Sequence, residues 1–142
     1  RQGKLILYNL HSHKIVYEFK GWGCAVLCIQ QSPAIDVVGV GLEDGRVIIH
    51  NLRTDKSVCV FRQEWGPVTS ITFRDDEHPV VCASAGSKVI MWNLEKRRQL
   101  GVMAMPHDGS TVTCAKFLPS QPILVTSGTD NSVRMWVYDQ VR

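Results

Sequence analysis

The sequence predicts an all-β chain, a partial β-propeller of about three blades with four antiparallel strands each. Two observations carry this. One short apolar segment occurs four times: Leu5-Ile-Leu-Tyr-Asn-Leu10, Val47-Ile-Ile-His-Asn-Leu52, Val89-Ile-Met-Trp-Asn-Leu94 and Val133-Arg-Met-Trp-Val-Tyr138. The copies begin at 5, 47, 89 and 133, and a period of about 40–45 residues made of short apolar runs is that of propeller blades. Each full period also holds four strand-like runs, the content of one blade.

The runs follow in a fixed order. Ala25–Ile29 and Asp36–Gly41 precede the second copy, Val68–Phe73 and Pro79–Ser84 the third, and Val112–Phe117 and Ile123–Ser127 the fourth. A further strand follows each of the first three copies: Ile15–Phe19, Ser57–Phe61 and Leu100–Ala104. Several runs are apolar at successive positions, which predicts strands buried on both faces. The second run of each set is rich in small residues (Gly39 and Gly41; Ala83, Ser84 and Ala85; Ser127 and Gly128), which lets packed sheets approach closely. Glu43-Asp-Gly45, Ala85-Gly-Ser87 and Thr129-Asp-Asn131 suit tight hairpins because their residues tolerate positive φ. These boundaries give residues 1–22 as the end of a blade, 23–65 and 66–107 as blades, and 108–142 as most of another. Because rings usually close with roughly four to eight blades, the chain is read as a segment of a longer protein.

Composition narrows the class. Of 142 residues, 44% are hydrophobic and 20% charged, as in folded globular domains. The net charge of +3 is too mild to argue for a dedicated nucleic-acid binder. Lys96-Arg97-Arg98, the densest basic cluster, falls in a predicted turn and is read as solvated. The five cysteines, at 24, 28, 59, 82 and 114, include no Cys-x-x-Cys. Four lie in apolar runs, where a reduced thiol acts as a small hydrophobe, and this favours a reducing compartment. No run approaches the length of a membrane-spanning helix.

The last copy carries a recognisable pattern. Thr126-Ser-Gly-Thr-Asp-Asn-Ser-Val-Arg-Met-Trp136, with His107 ahead of it, resembles the WD-repeat family. The resemblance implies a structural tetrad of His107, Thr126 (or Ser127), Asp130 and Trp136. The other copies depart from it: His50 replaces the Trp where Asp44 is present, and Gly86 replaces the Asp where Trp92 is present. Phe61-Arg-Gln-Glu-Trp-Gly-Pro67 and Gln31–Leu42 point to a narrower likeness, to the tandem-propeller WD-repeat proteins of the UTP-B module in the small-subunit processome. That likeness implies a nucleolar scaffold that supports maturation of small-subunit ribosomal RNA. Its implied partners are other WD-repeat proteins of the module. Contact with U3 small nucleolar RNA or pre-ribosomal RNA would be indirect or through phosphate. It implies no membrane, small-molecule substrate or cofactor.

Other constellations have plainer readings. His11-Ser-His13 is an exposed turn, short of a closed metal site. Asp75-Asp76-Glu77 sits on a turn without a partner acid. His107, Asp130 and Ser127 could suggest a catalytic triad, but the tetrad explains the same residues and Trp136 as well. No nucleophile-elbow or phosphate-loop motif occurs, so the chain is read as non-enzymatic, with no catalytic, metal or cofactor residues. Trp22 and Trp65, with Arg62 beside the latter, occupy loops that lead into blades. They are candidate partner-binding residues on one rim, unless each indole packs over its blade in place of a histidine. The rival reading is a generic WD-repeat adaptor, a peptide receptor of a ubiquitin-ligase or signalling complex. A lipid-binding propeller is disfavoured because Phe61-Arg62-Gln63-Glu64 lacks the Phe-Arg-Arg-Gly pattern.

Overall fold

A computed structural model describes residues 3–76 and 78–137. It contains thirteen strands: β1 (Ile6–Asn9), β2 (Lys14–Glu18), β3 (Val26–Gln31), β4 (Val37–Leu42), β5 (Val47–Asn51), β6 (Lys56–Phe61), β7 (Val68–Phe73), β8 (Val80–Ala85), β9 (Lys88–Asn93), β10 (Arg98–Met103), β11 (Val112–Phe117), β12 (Ile123–Gly128) and β13 (Val133–Val137). No helix occurs among the described residues. Tyr138, the end of the last predicted copy, and Glu77 lie outside them.

The strands form four separate antiparallel meanders: β1–β2, β3–β6, β7–β10 and β11–β13. Pairing follows chain order, so short turns suffice for every connection within a sheet. All three inner pairs carry a register shift at the same place, between Val26 and Cys28, Val68 and Ser70, and Val112 and Cys114. A bulge there adds local twist to the first strand of each blade.

The second strands are the most buried. All six residues of β8 are buried, as are the last five of β4. Such strands are sandwiched between neighbouring sheets, and this is why their sequences do not alternate. The small residues make that fit possible. A Cβ on Gly41 would lie 2.6 Å from both Cys28 Sγ and Val68 Cγ1, and one on Gly39 would lie 2.9 Å from Phe73 Cζ. Side chains of the following sheet, Val68 and Phe73, together with Cys28 of the same sheet, occupy the space the glycines leave.

Apolar packing repeats at three interfaces between successive sheets. Leu5, Phe19, Val38, Val40, Leu42 and Ile48 fill the first, with Trp22 against them. The second contains Phe61, Val68, Ile71, Phe73, Val81 and Trp92, with Trp65 against them. The third contains Val80, Cys82, Val89, Val112, Phe117 and Leu124, with Trp136 against them. Val133 occupies the same place in its copy as Val47 and Val89; it is 71% exposed and they are 0% exposed. A face that is covered in the middle of the row is open at its end. β1 and β2 are exposed throughout for the same reason.

Hydroxyls join the inner strands of the β7–β10 and β11–β13 sheets. Ser70 Oγ accepts from the Ala115 amide at 3.0 Å and Thr72 Oγ1 from the Phe117 amide at 2.9 Å. Ser84 Oγ lies 2.6 Å from Ser70 Oγ. Buried polar groups at this interface are therefore paired, as a dry contact requires.

Candidate functional site

The most closely organised polar cluster centres on His107, which is 0% exposed. Its loop links β10 to β11, and the ring sits under the β12–β13 turn. His107 Nδ1 lies 3.0 and 3.2 Å from the two Asp130 carboxylate oxygens and 2.9 Å from Ser132 Oγ. Nε2 lies 2.8 Å from Thr126 Oγ1, which accepts from Trp136 Nε1 at 3.0 Å. The carboxylate assigns the proton to Nδ1, so Thr126 donates to Nε2 and receives from the indole. Thr126, also 0% exposed, is thus the bridge. Ser127 turns its hydroxyl to Thr113 instead, at 2.8 Å.

Ser132 joins this cluster although its sequence position gave no signal. Its hydroxyl donates to Asp130 Oδ1 at 2.7 Å and its amide does so at 3.1 Å. The Ser132 hydroxyl bond is the leading reason the Asp130 carboxyl is held below the usual carboxylate range; burial opposes it, and the Ser132 amide and His107 add to it. Arg134 clasps the outside, donating to Pro106 O at 2.8 Å and to Asp108 at 3.2 Å. Gly128 is required at its position, because a Cβ there would lie 2.7 Å from His107 Cγ and 3.1 Å from Asp130 Oδ1.

The preceding blades fill the same place differently, and strand register explains why. Thr126 pairs with Arg134, two residues before Trp136. The corresponding partners are Ala83, paired with Ile90, and Val40, paired with Ile48. Neither has a hydroxyl to give. Trp92 instead stacks on Phe61, with ring centroids 5.1 Å apart and planes 19° apart. Across the first interface the aromatic and imidazole trade places. Trp22 lies edge-on to His50, with centroids 5.2 Å apart.

His50 is buried and finds its partners on the outer strand β6 and in the turn that leads into it. Nε2 lies 3.0 Å from Asp55 Oδ1 and Nδ1 lies 3.2 Å from Ser57 Oγ. The other Asp55 oxygen accepts from Tyr17 OH of the previous sheet at 2.7 Å. Asp44 is not part of this network: it holds Arg46 at 2.8 Å, and Arg46 Nη2 donates to Trp22 O at 2.6 Å. Tyr17 and Asp55 escaped the sequence reading because they come from two blades, 38 residues apart.

The two loop tryptophans are half-buried, and Arg62 is exposed. Gln63 fixes the Trp65 loop. Its Nε2 donates to Gly45 O at 2.9 Å and Gly66 O at 2.7 Å, and its Oε1 accepts from the Trp65 amide at 2.7 Å. Arg62, Gln63, Glu64, Trp65 and Gln99 line a shallow cavity of about 360 Å³. Trp22 borders a larger one of about 950 Å³ together with Lys4, Tyr17, Lys20, His50 and Asp55. Among the described residues no cluster of three or more His, Cys, Asp or Glu is placed to hold a metal ion. No helix there is long and apolar enough to cross a membrane.

Comparison with known proteins identifies the relatives. The family described as "WDR36/Utp21 first beta-propeller" matches residues 1–139. The chain belongs to this family. WD repeat-containing protein 36 of Homo sapiens is 44% identical over 139 residues, which cover 97% of this chain and 15% of that protein. U3 small nucleolar RNA-associated protein 21 homolog of Schizosaccharomyces pombe is 38% identical over 98% of the chain, and U3 small nucleolar RNA-associated protein 21 of Saccharomyces cerevisiae is 31% identical over 97%. The chain spans about 15% of the length of each of these relatives. Among solved structures, one titled "Structure of U3-55K" has a TM-score of 0.82, covering 94% of this chain and 42% of that one. At 18% identity that likeness shows the fold alone.

Within the WDR36/Utp21 propeller, then, this stretch presents WD-repeat blades closed in three ways: an Asp–His–Thr–Trp chain, a Phe–Trp stack, and a Trp–His pair tied to Asp55 and Tyr17.

Proposed function

We propose that this chain is part of a non-enzymatic scaffold in ribosome biogenesis, a WD-repeat component of the small-subunit processome that supports pre-ribosomal RNA processing through protein–protein contacts. Membership in the WDR36/Utp21 family carries this reading, because two relatives similar over nearly the whole chain bear names that associate them with U3 small nucleolar RNA. In this reading the protein works in the nucleolus, and its partners are the other WD-repeat proteins of the UTP-B module. The site geometry supports a scaffold. The most constrained polar side chains spend their hydrogen bonds on one another, which fixes blades rather than engaging a substrate.

His107, Thr126, Asp130 and Trp136 then serve as the lock of the last blade. Arg62 and Trp65, on a loop held by Gln63, supply rim contacts; Trp22, with its carbonyl tied to Arg46, supplies another. The test is depletion of the full-length protein followed by pulse-labelling of ribosomal RNA. Small-subunit RNA should fail to mature while its precursor accumulates, and re-expression should restore it. Normal maturation after complete depletion would refute the reading.

A further inference from the structure

We propose that the cavity between the first two sheets is a receptor for a basic side chain of a partner protein, with arginine the best fit. This names the chemistry that the Trp22 loop would take, and so rests on the scaffold reading above. The cavity, of about 950 Å³, is lined by Tyr17, Phe19, Trp22, His50 and Asp55. The four rings meet edge to face in turn. Tyr17 meets Phe19 with centroids 4.7 Å apart and planes at 69°, Phe19 meets His50 at 6.0 Å and 88°, and Trp22 meets His50 at 5.2 Å and 89°. Rings set at steep angles wall a space that stacked rings would fill. Phe19 and His50 are buried at the back, Tyr17 is 47% exposed and Trp22 is half-buried, so the outer two are the rings a guest can reach.

A carboxylate stands among the rings. Asp55 Oδ2 accepts from Tyr17 OH at 2.7 Å, and Oδ1 lies 3.0 Å from His50 Nε2. Each carboxylate oxygen accepts about two hydrogen bonds, so one position on each is left. The Tyr17 hydroxyl, then His50 and last Lys20 hold this carboxyl below its ordinary range against the effect of burial, so it is an anion at neutral pH. Aromatic faces beside an anion are the surroundings a cation prefers. A guanidinium adds a flat face that stacks on an indole and donors that match a carboxylate. The other charges at the mouth leave room for it. Lys4 is held by Glu18 at 3.7 Å. Lys20 is exposed and its charge reaches Asp55, so it is the cation that a guest would displace.

The next interface lacks each of these features. Cys59 stands there at the register of Tyr17, Trp92 at that of His50 and Arg97 at that of Asp55. Phe61 and Trp92 stack with planes 19° apart, and the space beside Trp65 is only about 360 Å³. An arginine of the chain itself replaces the acid. The first interface thus departs from the repeat in shape and in charge together, and both departures favour a foreign cation.

The experiment probes the purified, intact protein against an array of nonapeptides with mixed flanking residues and Arg, Gln or Glu at the centre. Arginine-centred peptides should retain about fivefold more protein than either other set. Asp55→Asn keeps the shape and removes the charge, and should lower that retention about tenfold. Tyr17→Phe and Tyr17→Leu both lose the hydroxyl; the first keeps the ring face and should bind about threefold better than the second. Lys20→Gln should raise retention about twofold, whereas Lys88→Gln, the same charge change at a side chain that reaches Ala104 O instead, should not. A gain cannot come from a damaged fold, so Lys20→Gln decides the matter even if Asp55→Asn loosens the interface. Equal retention of the three peptide sets, no loss in Asp55→Asn, equal binding by the two Tyr17 variants, or weaker binding in Lys20→Gln would each overturn the proposal. A preference for glutamate-centred peptides would overturn it as well. Failure here leaves the depletion result untouched, and normal ribosomal RNA maturation after depletion would refute the scaffold with arginine capture intact.

Discussion

Thr126→Val isolates one hydroxyl in the His107 cluster. Valine keeps nearly the same volume, so the cavity contribution is small and the effect is almost entirely polar. Two partners are stranded: His107 Nε2, 2.8 Å away, and Trp136 Nε1, 3.0 Å away. A buried polar group left without a partner costs about 1–3 kcal/mol. His107, at 0% exposure, should bear the full cost, whereas the half-buried Trp136 can turn partly to water. The expected loss is about 2–4 kcal/mol. The assay is hydrogen exchange, read on the amides of β12 and β13 so that the local effect is seen without a global transition. At about 1.4 kcal/mol per tenfold, their protection should fall roughly 30- to 1000-fold. Ser127→Ala, one residue along, should cost less than about 0.5 kcal/mol, since its hydroxyl faces Thr113 at the surface. Protection in Thr126→Val within threefold of the parent would refute the bridging role.

Gly41→Ala should destabilise the interface between β4 and β7 by about 1–3 kcal/mol through overpacking, because the new methyl meets Cys28 and Val68 at 2.6 Å; Gly101→Ala, with nothing within 4 Å, should not, and hydrogen exchange compares the two. Acid should weaken the fold elsewhere: the Tyr17 hydroxyl, then His50, hold the Asp55 carboxyl below its ordinary range, and the Arg74 guanidinium does so for Asp76. A carboxyl with a depressed folded pKa stabilises fully above its unfolded value of about 4 and loses that contribution as pH falls through the folded value, so melting followed from pH 7 to 3 should drop below pH 4, and Asp55→Asn should shallow the drop. Trp65→Ala should weaken capture of partner proteins by the purified protein, with a moderate loss of protection in β7–β10 because the half-buried indole also packs on the second cluster; unchanged capture with lost protection would assign the indole to packing alone.

Strand order and the hairpins before the third strands could be read from the chain because both depend on local chemistry; the Asn-anchored turns before the fourth strands were not, and Arg98, read as part of a turn, begins β10. Successive apolar residues in β4 and β8 announced burial on two faces, and Asp44-Gly45 or Asp130-Asn131 announced hairpins. The His107 cluster was legible for a different reason: its residues fall within one period, at the spacing of a known repeat. What escaped the sequence was chemistry shared between periods. Tyr17 and Asp55, Ser70 and Ala115, and Thr72 and Phe117 meet only because successive sheets stack, and no spacing rule within one blade reveals them. Gln63 was hidden by its ordinariness in a loop, although three hydrogen bonds pass through it. The unequal closing of the blades has an equally local cause: Val40 and Ala83 lack the hydroxyl that Thr126 supplies, so an aromatic stack or a Trp–His pair takes its place.

The scaffold claim is tested most directly by affinity purification of the tagged full-length protein from nuclear extract, with ribonuclease treatment and a high-salt wash before elution. The account predicts stoichiometric recovery of other WD-repeat processome proteins, retained after the RNA is destroyed. Recovery of the protein alone, or loss of every partner once RNA is digested, would contradict it.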